Sequence, residues 1–267
     1  MKSAVWLPLF DALADPRVVV RIAVAAEEAG WHGLFVWDHV RWRSPVQALG
    51  DPWVTLAATA AVTQHIRLGP MVTPLARRRP GKVARETVAL DVLSGGRLVL
   101  GAGLGSDAFG EEYRRFGEQT NPSTRAAMLD ESLSILQRAW TGHPVHHHGR
   151  YYTIDDVTFL PRPAERRIPI WIAAFPGNDK PLRRAARHDG FFPVNLEHPE
   201  QLAHAMDTIT ALRSVNTSPY NVMVPSRPGA DLTPYAAAGA TWWATDFDRP
   251  DGLSVDTVLG VIRDGPA

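Results

Sequence analysis

The sequence predicts an α/β protein, a parallel barrel of eight β/α units. Three observations carry that reading. Apolar runs of strand length alternate eight times with stretches whose apolar residues recur at helical spacing. Many of the helical stretches open on proline and several close on glycine. No linker or low-complexity segment interrupts the alternation, so one unit is expected over residues 1–267, with a strand excursion inserted at about 142–168. Alternating units imply a parallel sheet. Eight of them in 267 residues favour a closed (β/α)8 TIM barrel over an open doubly wound sheet.

The elements follow in order. Residues 5–10 form the first apolar run. Asp15-Pro16 reads as an N-cap followed by proline at the first helical position. Val18, Ile22, Ala25 and Ala29 then mark a helix that Gly30 ends. Leu34-Phe35-Val36-Trp37 is a continuous apolar run, as expected of a strand covered on both faces, and Asp38-His39 follow at its carboxyl end. Residues 41–50 are irregular. Asp51-Pro52 repeats the cap, with a helix through Leu56, Ala60 and Thr63. The third strand starts at 66–69 and continues through Met71-Val72 to Thr73-Pro74; Pro80 opens the next helix and Ser94-Gly95-Gly96 closes it. Residues 97–101 are the fourth strand, running into a glycine-rich turn at 101–106. A helix begins near Ser123 or Thr124, with Leu129, Leu133, Leu136 and Trp140 on one face. After the excursion come strands at 168–173, 190–194, 220–224 and 241–245, with helices at 178–187, 199–213, 232–238 and 254–263.

Composition narrows the function classes. There are 28 basic and 28 acidic residues, so no net field points to nucleic acid. The absence of cysteine excludes disulfides, thiol nucleophiles and zinc-cysteine sites. No signal peptide and no apolar run of membrane-spanning length is seen, and the expectation is a soluble cytoplasmic protein.

In parallel α/β folds, ligands bind at the carboxyl ends of the strands. This makes Asp38 and His39 the first candidates. Histidine can donate to a carbonyl or accept a proton near neutral pH. The alternative is a loop cap and a satisfied barrel-mouth histidine. Gly101-Ala102-Gly103-Leu104-Gly105-Ser106 lacks the dinucleotide fingerprint spacing; it is either a tight turn or a place where backbone approaches a flat ligand. Phe175-Pro176-Gly177-Asn178 feeds a helix, as either a plain N-cap or a phosphate site. Lys180 either adds charge there or is solvated. Arg77-Arg78-Arg79 either attracts an anion or forms a solvated loop. His146-His147-His148 alternate faces on a strand and cannot all reach one ion, so no metal site is expected.

The order of several segments resembles the luciferase-like flavin/deazaflavin oxidoreductase superfamily. They are Ala26-Glu27-Glu28-Ala29-Gly30 with Val36-Trp37-Asp38-His39, then Asp51-Pro52-Trp53-Val54-Thr55-Leu56-Ala57, and Ile66-Arg67-Leu68-Gly69 with Val72-Thr73-Pro74. Leu93-Ser94-Gly95-Gly96-Arg97-Leu98 with Leu100-Gly101-Ala102-Gly103, Gly149-Arg150-Tyr151-Tyr152 and Pro169-Ile170-Trp171-Ile172-Ala173-Ala174 follow, ending in Asp189-Gly190. The match covers about residues 1–195; beyond it only the rhythm agrees.

The resemblance implies a bacterial luciferase-like TIM barrel that uses coenzyme F420, or alternatively FMN. It further implies His39 beside the ring as proton partner, and Asp38 orienting the site. Met71, Val72 and Thr73 would form a bulge, often with a non-proline cis peptide, behind the ring. Gly103, Leu104, Gly105 and Ser106 would border the ring, and Ala173, Ala174, Phe175, Pro176, Gly177 and Asn178 the cofactor phosphate. Three departures accompany it: no glutamate near Ser106 where sugar-phosphate-oxidising relatives carry one, Phe175-Pro176-Gly177 in place of two adjacent glycines, and a chain shorter than most relatives. The leading expectation is hydride transfer between F420 and an organic small molecule. A two-component FMN monooxygenase fed by a separate reductase and a non-catalytic flavin-binding relative are the alternatives. A homodimer is expected from the resemblance.

Overall fold

Aspartate and proline start the first helices as the sequence predicts. Asp15 accepts a hydrogen bond from the Arg17 N–H at the head of α1 (Pro16–Glu28), and Asp51 accepts from Val54 at the head of α2 (Pro52–Val62). The computed structural model describes residues 1–213, 215, 218–247 and 252–266; Ala267, the end of the expected unit, lies outside them.

The remaining helices are α3 (Pro80–Leu93), α4 (Pro122–Ala139), α5 (Asp179–Ala185), α6 (Pro199–Leu212), α7 (Thr233–Ala237) and α8 (Val255–Arg263). The strands are β1 (Lys2–Leu7), β2 (Gly33–Val36), β3 (Arg67–Pro70), β4 (Thr73–Pro74), β5 (Leu100–Gly103), β6 (Val145–His148), β7 (Thr153–Val157), β8 (Ile170–Ala174), β9 (Gly190–Pro193), β10 (Asn221–Ser226) and β11 (Trp242–Thr245). The main sheet runs β3-β2-β1-β11-β10-β9-β8-β5-β4, parallel throughout. β3 and β4 are two halves of one stave, one paired with β2 and the other with β5. A bridge between Leu68 and Leu98 completes the contact across that stave. The sheet is therefore an eight-stave barrel, with a helix after each stave.

Some strand limits move from their expected places. β1 starts at Lys2 and stops at Leu7, and Phe10 instead forms an isolated bridge with Leu49. The third strand is broken at Met71-Val72. The fourth lies at Leu100–Gly103, so the first glycines expected to turn are strand. There, a Cβ on Gly101 would strike the Pro70 carbonyl and Met71, which is why the strand carries glycine. The excursion at 142–168 contains the antiparallel pair β6–β7. Its histidines alternate: His147 pairs with Glu131, while His146 and His148 lie 3.5–3.9 Å from Asp155 and Asp156. Among the described residues, no cluster of three or more His, Cys, Asp or Glu is arranged around a metal position.

Two apolar layers hold the barrel. The outer one packs α-helices on the strands, with Leu34, Leu56, Ile22, Leu133 and Ile209 buried. The inner one fills the barrel with Phe35, Trp171, Trp242, Met223 and Phe192. The Phe35, Trp171 and Trp242 rings lie 5.5–6.3 Å apart, tilted or edge to face. This plug closes the barrel below its carboxyl-end mouth.

Candidate active site

β2 ends at Val36, and Trp37-Asp38-His39 leave it at the barrel mouth. Asp38 is buried and faces away from solvent. Thr73 Oγ1 donates to its Oδ2 at 2.5 Å, and Arg77 and Arg78 guanidiniums donate to both carboxylate oxygens at 2.9–3.0 Å. Burial opposes the charge on Asp38, but Arg78, Arg77 and these hydrogen bonds override it and hold the carboxyl below its ordinary range. Arg77 and Arg78 come from the short turn after β4. They are fixed by internal carboxylates, which corrects the expectation of a solvated or anion-attracting loop.

The residue that the sequence reading missed is Glu112. Its Oε2 lies 2.8 Å from His39 Nδ1; its Oε1 accepts from Val40 N–H at 2.6 Å and from Arg77 Nη1 at 2.8 Å. Burial would raise its pKa, yet the His39 bond and charge, Arg77 and the Val40 N–H lower it overall. An ionised carboxylate only accepts hydrogen bonds, so Nδ1 of His39 carries the hydrogen and Nε2 is left for another partner. Glu112 lies six residues after Ser106, and both of its carboxylate oxygens are taken up by His39, Val40 and Arg77. An acidic pair followed by an aromatic, Glu111-Glu112-Tyr113, was the one available signal. Tyr113 is fully buried and donates to the Leu104 carbonyl at 3.0 Å; burial pushes its pKa up to about 12, so it remains a donor. Ser106 accepts from the Ala108 N–H and Asp107 caps Tyr113 and Arg114, so both serve the loop.

His39 opens on a cleft of about 1630 Å³, larger than a single small ligand fills. Its walls differ. Around His39 stand aromatic rings: Trp42 at 4.6 Å, Trp37 at 5.8 Å and Phe10 at 6.0 Å between centroids, with Phe109 stacked on Trp42 at 5.1 Å. A shelf of Met71, Val72, Gly103, Leu104, Gly105 and Ser106 also lines the cleft; there the Met71–Val72 peptide bond is cis and the Trp6 indole donates to the Met71 carbonyl. Ala173, Ala174, Phe175 and Asn178 continue the wall toward α5. Thr73, Pro176 and Gly177 do not line it: Thr73 is turned to Asp38, and the other two belong to the partly exposed loop between β8 and α5. The helix expected at 178–187 is shorter, Asp179–Ala185, and Asn178 precedes it without a side-chain capping bond.

Residues 3–241 match the family model for luciferase-like monooxygenase. The chain belongs to that family. The resemblance read from the ordered segments is borne out. Among relatives of the luciferase-like family, the chain is 32% identical over 244 residues to an F420-dependent glucose-6-phosphate dehydrogenase of Intrasporangium calvum, covering 86% of this chain and 70% of that protein. A protein of the same name from Nakamurella multipartita is 34% identical over 200 residues, covering 69% of this chain and 54% of the relative. The chain thus spans about half the length of that second relative. The fold matches an F420-dependent secondary alcohol dehydrogenase in complex with an F420-acetone adduct, at a TM-score of 0.81 and 15% identity, over 99% of this chain and 98% of that one. The barrel expected of this luciferase-like chain is borne out with it.

Proposed function

We propose that this protein is an F420-dependent oxidoreductase that moves a hydride between the deazaflavin and an organic small molecule. The observation that carries the reading is the buried Glu112 carboxylate on His39 Nδ1, which leaves Nε2 available in a residue that lines the same cleft as Met71 and Val72. The names of the sequence relatives favour F420 over FMN.

The cleft fits such a cofactor. It has a shelf that includes the small residues Gly103, Gly105 and Ser106, room for two ligands and an aromatic wall. Met71, Val72, Gly103, Leu104, Gly105 and Ser106 would hold the ring, with Thr73 supporting them from behind; Ala173, Ala174, Phe175 and Asn178 would hold the tail, with Pro176 and Gly177 shaping that loop. When bound, the deazaflavin supplies the hydride acceptor or donor. His39 hydrogen-bonds the reacting oxygen of the substrate through Nε2 and takes or returns its proton. Glu112 fixes the imidazole and balances the charge that forms on it. Asp38 is a positioning residue: it anchors Arg77, which in turn holds Glu112.

The catalytic unit is the whole barrel, the β6–β7 hairpin included. Homodimerisation, a cytoplasmic location and resupply of reduced cofactor by a separate reductase complete the proposal; among the described residues, no helix is long and apolar enough to cross a membrane. The test is a fluorescence titration with oxidised F420 and with FMN, followed by hydride-transfer assays on His39→Ala. Binding of F420 with a rate loss of roughly 10²–10⁴ in the variant is expected. Preference for FMN, or full activity in the variant, would overturn the reading.

A further inference from the structure

The wall beside His39 is a continuous row of rings. Phe192, Trp6, Trp37, Trp42 and Phe109 all line the cleft, and successive centroids lie 5.3, 5.0, 5.6 and 5.1 Å apart. His39 stands against Trp42 and Trp37. Phe109 lies almost flat on Trp42, 12° between planes, yet it is 41% exposed. The two loops that carry this pair are tied together: Arg41 Nη1 donates to the Gly110 carbonyl at 2.5 Å and lies 3.5 Å from the Glu111 carboxylate.

The polar groups along the row are spent inside the protein. Both Asp38 oxygens are held by Arg77 and Arg78, and both Glu112 oxygens by His39, Val40 and Arg77. The Trp6 indole N–H is taken by the Met71 carbonyl, and that of Trp37 is buried. Among cations, Arg43 alone lines the cleft on this loop, and its guanidinium lies over the Phe109 ring at 5.8 Å. The other cations of the cleft, Lys180, Arg183, Arg184 and Arg187, belong to α5 and the turn after it; α5 follows β8, three staves from β2. Asp246, after β11, adds a carboxylate.

We propose that the substrate is an uncharged alcohol, or the matching carbonyl compound, with an apolar ring-sized body that packs on Trp42 and Phe109 while its oxygen meets His39 Nε2. This rests on the F420 reading above and defines the substrate class for that site. Flat rings gain most from flat rings. A phosphosugar would press unpaired hydroxyls against aromatic faces and bring two negative charges to a wall with one cation. In the oxidising direction the alcohol loses its carbinol hydrogen as hydride to the oxidised deazaflavin and its hydroxyl proton to His39, leaving C=O. The reverse returns both to the carbonyl.

The experiment first confirms F420 binding by titration, then measures kcat and KM with oxidised F420 on cyclohexanol and benzyl alcohol, on a hydroxycyclohexane carboxylate, and on glucose 6-phosphate. Turnover of the uncharged alcohols is expected, with kcat/KM roughly tenfold lower for the carboxylate and no turnover of the phosphosugar. Phe109→Ala, at an exposed position, is expected to raise KM for the uncharged alcohols roughly tenfold with kcat and F420 affinity little changed, and Phe109→Leu to fall between it and wild type. Calorimetric titration of the cofactor-free protein with cyclohexanone is expected to show saturable binding that Phe109→Ala weakens. Preference for the carboxylate or the phosphosugar, no turnover of either uncharged alcohol, or an unchanged KM in Phe109→Ala would overturn the substrate class while the F420 reading stands. If F420 does not bind, both fall.

Discussion

Glu112 joins two parts of the chain that are 73 residues apart, holding His39 and the Val40 N–H at once. Glu112→Gln keeps the shape but removes the charge that balances a protonated imidazole. It is expected to slow hydride transfer roughly tenfold to a hundredfold, less than His39→Ala, and to move the pH dependence of kcat while leaving F420 affinity unchanged. An unaltered pH profile would leave Glu112 with a purely structural role. Gly105 makes a different kind of prediction. It sits at φ +70, and a Cβ there would strike the Tyr113 hydroxyl and the Pro74 ring. Gly105→Ala is expected to destabilise by about 1–3 kcal/mol, read as a lowered denaturation midpoint. His39 was legible in the sequence because it directly follows a buried apolar run. Glu112 was not, because nothing local distinguishes it from Glu111: one carboxylate turns inward to His39 and the other pairs with surface arginines.

At the scale of elements, Arg97 shows how chain segments far apart are tied together. Its guanidinium donates to the Ala60, Thr63 and Ile66 carbonyls, to Thr63 Oγ1 and to the Ser94 carbonyl. It thereby satisfies carbonyls at and beyond the C-terminal end of α2 that no helical N–H can reach. Burial lowers its pKa from the ordinary arginine value. Arg97→Met would leave those carbonyls buried and unpaired. A loss of about 3 kcal/mol is expected in urea unfolding; a change within 0.5 kcal/mol would show that water replaces the guanidinium. Arg97 was read as the first residue of a strand, and the structure makes it a strut below the strand. Helix starts were more legible than strand ends. A proline or an aspartate marks where a helix begins, whereas a strand buried on both faces is apolar throughout and has no period to mark its limits.

Across the whole molecule, eight alternations of strand and helix identified the barrel, because closure is a property of the repeat rather than of any one residue. The split of one stave into β3 and β4 and the inward turn of Arg77 and Arg78 depend on contacts that no repeat encodes. Acid stability is also a property of this scale. His188 is buried, and its pKa is lowered to about 4, mainly by burial, from the ordinary 6.5. The unfolded chain therefore binds more protons than the folded one between those values. Stability falls as pH drops from 6.5 towards 4, by about 2–3 kcal/mol, and His188 adds no further loss below that. Asp38 and Glu112 have lowered values, so their contribution is complete above their ordinary 3.8 and 4.5 and is lost only as pH falls further. Two stages are expected in urea midpoints measured against pH, and His188→Gln should abolish the first; persistence of that stage would assign it elsewhere. The aromatic wall has an optical consequence. Trp6 and Trp37 lie 5.0 Å apart and Trp37 and Trp42 5.6 Å, so three of the nine indoles share excitation at the mouth of the barrel. A chromophore that absorbs in the near ultraviolet and settles on the shelf would drain that emission. The protein's own fluorescence is therefore a built-in gauge of occupancy, readable without a label.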